Sequence, residues 1–255
     1  MENNAHAHPI SILINRIAEI FTSLGFDIVD GPELEREWFN FDALNVPKDH
    51  PARDLQDTFY LKLKEDEKYG KAVMRTHTSP VQVHYMTEFA KLVKEGKKDF
   101  PLAICVPGKT FRNEATDATH EAQFYQVEGL LVGENISLAN LKGVLEKFFS
   151  ELFEKKIDVM LRSSFFPFVE PGVEIAMKCF KCDGAGCNIC KKTGWIEIMG
   201  AGMVHPNVLE NCGIDSRKYT GFAFGGGIER LAMLKYGIND IRLFHNGDLR
   251  MVNQF

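Results

Sequence analysis

Hydrophobic positions near the start of the chain recur at the spacing of one helix face. Apolar residues stand three or four positions apart at Ile10, Leu13, Ile17, Ile20 and Leu24. Gly25 follows where such a helix would end. The segment FDIVD then predicts a short strand before Gly31-Pro32. The pattern indicates an amphipathic helix packed on a core, followed by a strand.

Two later stretches repeat the helical spacing behind a capping residue. Thr78 or Ser79 can cap a helix that begins at Pro80 and ends at Gly96. Ser137 can cap another, whose apolar face is Leu138, Leu141, Leu145, Phe148 and Leu152. A cap accounts for Ser79 without any ligand, so its position alone does not indicate a binding site.

A hairpin is predicted in the middle of the chain, after the buried strand FPLAICVPG. Its first strand carries residues 110–114, and its second runs from about Gln123 to Val132. Period-2 alternation places Phe124, Gln126 and Glu128 on one face of the second strand. Arg112, Glu114 and His120 lie nearby in sequence. The hairpin therefore sets a cationic site beside an anionic one, which suits a substrate with a phosphate and an ammonium. A solvated hairpin with surface charges fits the spacing equally well.

Three further strands are predicted towards the end of the chain. KIDVMLR is the first, and TGWIEIM is the second, which we expect to end in a glycine-rich bend at Gly200 and Gly202. TGFAFGGGIERLAMLKYG predicts a strand, then glycines, then a helix. Gly225 and Gly227 free the backbone at the start of that helix, where anions bind readily. Between the strands, SSFFPFVEPG clusters aromatic residues, and its prolines indicate that part of it is a loop or a sheet edge.

Composition narrows the classes of protein that remain. The 255 residues are 45% hydrophobic and 25% charged, enough for one large domain or two small ones. A net charge of −5 excludes a generic polyanion binder, so any contact with RNA would use a local patch. No apolar run approaches the ~18–20 residues that span a bilayer. The start, MENNAHAHPI, lacks a signal-peptide layout, and we expect His6 and His8 to be solvated.

Four of the six cysteines fall within twelve residues, as CFKCDGAGCNIC. Such paired spacing suits a closed tetrahedral zinc site with a structural role, formed by Cys179, Cys182, Cys187 and Cys190. Gly184 and Gly186 permit the tight turn between the pairs. An iron–sulfur cluster is the competing interpretation, since four cysteines serve both metals. Metal ligation rather than a disulfide scaffold indicates a reducing compartment.

The segment FRNEATDATHEAQFYQVEG resembles the second signature of class II aminoacyl-tRNA synthetases, in the form found in the α subunit of bacterial phenylalanyl-tRNA synthetases. GFAFGGGIER resembles the third signature, and the first helix, strand and proline resemble the first signature. The resemblance covers nearly the whole chain. It implies an α+β class II fold, a mostly antiparallel β-sheet flanked by helices, as one catalytic domain over residues 1–255. Residues 178–193 would be a zinc-knuckle insertion, a departure from the short turn of familiar relatives.

The resemblance also implies an activity. Such an enzyme joins L-phenylalanine to ATP with Mg²⁺, releases pyrophosphate, and transfers the amino acid to tRNA(Phe) in the cytoplasm as an α2β2 assembly with a β subunit. Full-length α subunits carry an N-terminal helical arm that has no counterpart in this sequence. Membrane association is not expected.

Individual roles follow from the family by position. The ATP-binding positions are Arg112, Glu114, His120, Phe124, Gly225, Gly227 and Arg230, of which Arg112 and Arg230 are catalytic. The phenylalanine-binding positions are His77, Ser79, Gln126, Glu128, Phe166, Phe168 and Ala223. Glu170 matches a magnesium ligand in a site shared with the β subunit.

Two alternatives compete with this interpretation. One is a related class II synthetase for another amino acid, such as the pyrrolysine and phosphoserine enzymes; the FPF and QVEG segments argue against it. The other is a non-catalytic, zinc-containing RNA-binding or regulatory paralogue. Such a protein could lose any reactive position freely, whereas this chain has Arg112, Glu114, Gln126, Glu128 and Arg230 together.

Overall fold

The computed structural model describes residues 7–255, so the prediction for His6 lies outside the described residues. The strands of this part are β1 (Asp27–Ile28), β2 (Leu34–Arg36), β3 (Tyr60–Asp66), β4 (Gly70–Met74), β5 (Leu102–Phe111), β6 (Gln123–Gly133), β7 (Val159–Phe166), β8 (Val169–Lys178), β9 (Trp195–Val204) and β10 (Thr220–Gly227). The helices are α1 (Pro9–Ser23), α2 (Ser79–Lys94), α3 (Leu138–Leu152), α4 (Pro206–Asn211), α5 (Ile228–Tyr236) and α6 (Leu249–Val252). Within residues 7–255, no helix has the length and apolar character needed to cross a bilayer.

Seven strands form the main sheet, in the order β1-β5-β6-β10-β9-β8-β7. Every neighbouring pair is antiparallel except β1 and β5, which are parallel. A second sheet has the order β2-β4-β3. The mostly antiparallel sheet flanked by helices that the sequence predicts is therefore confirmed.

Helices pack on both faces of the main sheet, because its central strands contribute buried apolar residues to a core on each side. On one face α1 packs against α3 and α5. The ring of Phe21 lies 4.8 Å from that of Phe148 and 5.5 Å from that of Phe224. On the other face α2 packs against β5 and buries Val81, Val83 and Met86. This second face holds the candidate site.

The first strand of the hairpin ends earlier than the sequence predicts. The buried segment and the start of the hairpin are one strand, β5, which stops at Phe111. The backbone N–H of Asn113 donates to Asp57 O at 3.1 Å rather than to the partner strand. Arg112 and Glu114 therefore stand in the loop of residues 112–122 that joins β5 to β6. The predicted second strand is confirmed as β6.

The glycine-rich bend predicted around Gly200 and Gly202 is wrong, because both residues lie inside β9. A Cβ on Gly200 would stand 2.8 Å from the ring of Phe166, and one on Gly202 would stand 2.8 Å from Cβ of Val169. These glycines leave room for side chains of β7 and β8 rather than turning the chain.

His8 is partly buried and not simply solvated. Its Nδ1 accepts a hydrogen bond from the backbone N–H of Ile10 at 3.2 Å and so caps α1. Its Nε2 lies 3.0 Å from the carbonyl oxygen of Phe244, so the residue also joins α1 to the C-terminal part of the chain.

Candidate active site

Two cavities meet at Arg112, in the loop between β5 and β6. The large cavity has a volume of about 310 Å³ and the small cavity about 170 Å³. Arg112 lines both cavities. All seven positions that the family resemblance assigns to phenylalanine line the large cavity, namely His77, Ser79, Gln126, Glu128, Phe166, Phe168 and Ala223. These residues come from four elements (α2, β6, β7 and β10) and two loops, and they converge on one space.

Glu128 on β6 is the buried acid of the large cavity, 4% exposed. Its Oε2 accepts hydrogen bonds from Ser79 Oγ at 2.7 Å and Gln82 Nε2 at 2.8 Å, and its Oε1 accepts one from the backbone N–H of Thr78 at 3.2 Å. Burial raises the pKa of Glu128 to about 7 despite these donors. A cationic group bound next to the carboxylate would favour its charged form.

Two buried polar atoms of the large cavity have no hydrogen-bond partner within residues 7–255. They are His77 Nδ1 and Gln126 Oε1. Leaving a buried polar atom without a hydrogen bond costs about 1–3 kcal/mol of stability. A ligand whose polar atoms pair with these two atoms would recover that energy. Burial, together with the charge of Arg112, lowers the pKa of His77 to about 3 and keeps its ring neutral.

The apolar part of the large cavity includes a pair of aromatic rings and a small side chain. Phe166 ends β7 and Phe168 lies in the turn to β8; their ring centroids are 6.0 Å apart with an interplanar angle of 19°. Asn45 Nδ2 donates to Pro167 O at 2.8 Å and holds this turn. Pro167 in the turn and the edge position of β7 confirm the loop or edge predicted for this segment. Ala223 on β10 supplies the small side chain.

The small cavity carries most of the predicted nucleotide positions. Glu114, His120, Phe124, Gly227 and Arg230 line it together with Arg112. The guanidinium carbon of Arg112 stands 5.0 Å from the centroid of the Phe124 ring, and its Nε donates to Thr76 O at 3.1 Å. One predicted position lies elsewhere, because Gly225 lines the large cavity. A Cβ on Gly225 would stand 2.7 Å from Cγ of Glu128, so this glycine makes room for the acid.

His120 is held in the exposed loop between β5 and β6 by Asp117. Asp117 accepts hydrogen bonds from the backbone N–H groups of Thr119 and His120, and the His120 ring lies 3.0 Å away. The backbone donor of Thr119, followed by the His120 side chain, lowers the pKa of Asp117. Asp117 therefore holds His120 in the loop where its side chain lines the small cavity.

Three buried polar residues at the site are absent from the sequence predictions. Arg75, 1% exposed, donates from Nε to Lys109 O at 2.7 Å and from Nη1 to Gly31 O at 2.9 Å. Glu229, also 1% exposed, accepts from the backbone N–H of Tyr125 at 2.8 Å and joins α5 to β6. Gln82 follows Ser79 by three residues on α2, and this same-face spacing is the one signal that could have identified it.

The four predicted metal ligands come together in the connection between β8 and β9. Their sulfur atoms all lie within 4.8 Å of one another. Cys179 and Cys187 sulfurs are 3.7 Å apart, and the Cys182 and Cys190 sulfurs are 3.8 Å apart. A tetrahedral ion with metal–sulfur bonds of about 2.3 Å sets its sulfurs about 3.8 Å apart. The cluster therefore has the size of a site for a single ion, whereas the cysteines of an iron–sulfur cluster ligate separate irons farther apart.

Glu170 lies on β8 and is exposed. Among residues 7–255, the cysteine group is the one set of three or more His, Cys, Asp or Glu side chains close enough to hold a metal. The role of Glu170 as a magnesium ligand stays a prediction that depends on a second subunit.

Known proteins resemble this chain in sequence and in fold. A family profile described as tRNA synthetases class II core domain (F) matches residues 1–255. The phenylalanine–tRNA ligase alpha subunit of Staphylococcus carnosus is 53% identical over 248 residues, 97% of this chain and 66% of that protein. The same subunit of Exiguobacterium sibiricum is 55% identical over 98% of this chain and 69% of its own length. The chain thus spans about two thirds of the length of these relatives.

Among solved structures, pyrrolysyl-tRNA synthetase from Desulfitobacterium hafniense superposes with a TM-score of 0.68. The match covers 94% of this chain and 74% of that chain, at 18% sequence identity. At this identity the likeness concerns the fold alone.

Proposed function

The chain belongs to the family of class II tRNA synthetase core domains, and from this premise we propose that it activates L-phenylalanine with ATP. It then transfers the phenylalanyl group to tRNA(Phe) together with a β subunit. The observation that carries the proposal is the position of Arg112 between an apolar, acid-containing cavity and a second cavity lined by Phe124 and Arg230. An amino acid and a nucleotide bound in these cavities would meet at one guanidinium.

The activation step needs no protein nucleophile. An oxygen of the substrate carboxylate attacks the α-phosphorus of ATP, the bond from that phosphorus to the bridging oxygen breaks, and pyrophosphate leaves with the bonding electrons. Arg112 binds the carboxylate and the α-phosphate with its planar fork. Arg230 binds the far end of the triphosphate, and Phe124 stacks on adenine. Catalysis is positioning together with neutralisation of charge on the phosphate oxygens.

The substrate ammonium is bound by Glu128 and Gln126. Ser79 acts through Glu128, to which its hydroxyl donates, so it positions the acid rather than reacting itself. The unpaired Gln126 Oε1 and the neutral His77 ring offer further polar contacts to the bound amino acid. A substrate ammonium beside Glu128 lowers the cost of keeping this buried carboxylate charged.

The apolar half of the large cavity selects the ring. Phe166 and Phe168 contact the phenyl group, and each aromatic pair stabilises binding by about 0.5–1.5 kcal/mol. Ala223 limits the length of the ring that the cavity accepts. The volume of about 310 Å³ is suited to a small ligand. No polar group is assigned to the ring end, so a tyrosine hydroxyl there would cost about 1–3 kcal/mol unpaired.

Two metals accompany the proposed function. Zinc fits the four sulfurs by size and donor type, and a closed site of this kind stabilises the β8–β9 connection. Magnesium enters with ATP and offsets the charge of the phosphates. Glu170, exposed on β8, contributes a carboxylate to a magnesium site completed by the β subunit.

The relatives are named alpha subunits, which supports a β subunit as partner. An α2β2 assembly that acts in the cytoplasm is part of the proposal. The experiment is ATP–pyrophosphate exchange with a panel of amino acids, with and without a β subunit from a similar enzyme. Exchange that depends on phenylalanine is expected in the presence of the β subunit. Exchange with a different amino acid, or none in the complete assembly, would overturn the proposal.

A further inference from the structure

A groove lies beside the cysteine cluster and shares one lining residue, Arg230, with the small cavity. It has a volume of about 430 Å³ and runs along β9 between the cysteine-bearing connection and α5. Arg230 lines the groove and also the small cavity, so the two spaces share a side chain. None of the positions assigned from the family resemblance, apart from Arg230 and Cys190, lies in this groove.

The groove carries an excess of positive charge. Its charged side chains are Arg162 on β7, Lys191 beside Cys190, Arg230 on α5, and the single acid Glu197. Within residues 7–255, neither Arg162, Lys191 nor Arg230 forms an ion pair with a carboxylate. Three cations and one acid leave the groove with a net positive charge, which attracts a multivalent anion.

The cysteine connection holds Lys191 in place. The hydroxyl oxygen of Thr193 lies 2.6 Å from Cys190 O and 2.8 Å from Trp195 O, which ties the connection to the start of β9. Lys191 follows Cys190 directly, so closure of the four-sulfur site also sets the position of this lysine.

We propose that this groove binds pyrophosphate as it leaves the small cavity, and that Arg162 and Lys191 are its binding residues. The inference rests on the proposed function, since the activation step produces pyrophosphate next to Arg230. Pyrophosphate carries several negative charges, so cations beside the small cavity attract it, whereas phenylalanine has no net charge. Lys191 thereby gives the cysteine connection a functional role besides a structural one.

The test uses variants of the chain assembled with a β subunit. Arg162→Ala and Lys191→Ala remove two groove cations, and Lys192→Ala is a matched control that lines a different surface. Both lysines have positive φ, 49° and 67°, so alanine keeps the same backbone restriction at each. Two measurements are made: titration calorimetry with magnesium pyrophosphate, and the KM values for pyrophosphate, ATP and phenylalanine in the exchange reaction.

We expect each groove variant to weaken pyrophosphate binding about three- to tenfold and to raise the KM for pyrophosphate by the same factor. The KM for phenylalanine should not change in the groove variants, and Lys192→Ala should bind pyrophosphate as the unaltered chain does. Equal losses in Lys191→Ala and Lys192→Ala, no loss in either groove variant, or a loss confined to tRNA affinity would each overturn the inference. Because calorimetry needs no turnover, a chain that fails to activate phenylalanine would contradict the proposed function while the groove is still tested.

Discussion

Ser79 Oγ, in the first turn of α2, donates a hydrogen bond of 2.7 Å to Oε2 of Glu128 on β6. The start of a helix on one side of the sheet therefore orients the buried acid of the large cavity. Thr78 and Gln82, from the same helix start, donate to the same carboxylate. These three hydrogen bonds hold the Glu128 carboxylate in one position, where an ammonium can bind.

The raised pKa of Glu128 predicts how phenylalanine binding depends on pH. The ammonium needs the carboxylate form, and burial raises the pKa of Glu128 to about 7 in the free protein. We therefore expect the KM for phenylalanine to rise as pH falls below about 7. Glu128→Gln should weaken binding at every pH and remove this dependence. A KM profile that is the same in both proteins would contradict the assignment.

The same group has a consequence for stability. Its folded pKa of about 7 lies above the ordinary glutamate value of 4.5, so between these values the folded chain binds more protons than the unfolded chain. The contribution of Glu128 to the free energy of unfolding is therefore fully present at pH below 4.5 and is lost as pH rises through 7. Denaturant titrations of Glu128→Gln should lack this decrease, whereas an unchanged slope would show that the group does not titrate there.

Arg112 is expected to be essential for activation. Arg112→Ala should lower ATP–pyrophosphate exchange by at least about 10²–10³-fold, because it removes the donor that holds both reacting groups. Arg112→Lys keeps the charge without the planar fork and should recover little activity. Melting curves of both variants serve as the control for folding. Near-normal exchange in Arg112→Ala would remove this residue from the proposed role.

Ala223 is expected to set the length of the accepted ring. Ala223→Gly removes a methyl group from the wall of the large cavity opposite Phe166 and Phe168. The variant should activate phenylalanines with a para substituent while still activating phenylalanine, as measured by exchange with both substrates. A substrate range identical to that of the unaltered chain would show that Ala223 does not limit the cavity.

Metal removal should affect the β8–β9 connection first. We expect one zinc ion per chain by elemental analysis, and a lower melting temperature after chelation or in Cys190→Ser, because the ion ties Cys179 to Cys190. Cys212→Ser, at a buried cysteine outside the cluster, is the control that should keep the metal. Iron in place of zinc, or a full metal content in Cys190→Ser, would contradict the assignment.

Local patterns predicted much of the fold, because they depend on neighbouring residues. The apolar spacing of α1 and the alternation of β6 are confirmed, as is the family named from the hairpin and glycine segments. The end of β5 and the path of β9 are not local properties. The first depends on Asp57 accepting from Asn113, and the second on the ring of Phe166 beside Gly200.

The candidate site, like the fold, was predicted from the sequence only in part. The amino-acid and nucleotide positions taken from the family resemblance converge on two cavities, whereas Glu170 lies outside both, and all of these roles stay predictions. Arg75 and Glu229 could not be identified from the sequence, because their partners are carbonyl oxygens and a backbone N–H more than thirty residues away. No periodicity or spacing signals such contacts.

The most direct test of the central claim is a crystal structure of the chain, assembled with a β subunit, bound to a non-hydrolysable analogue of phenylalanyl-adenylate. We expect the phenyl ring between Phe166, Phe168 and Ala223, the ammonium at Glu128, adenine on Phe124, and the linking group at Arg112. An analogue bound with adenine in the large cavity, or with its linking group away from Arg112, would contradict the proposed function.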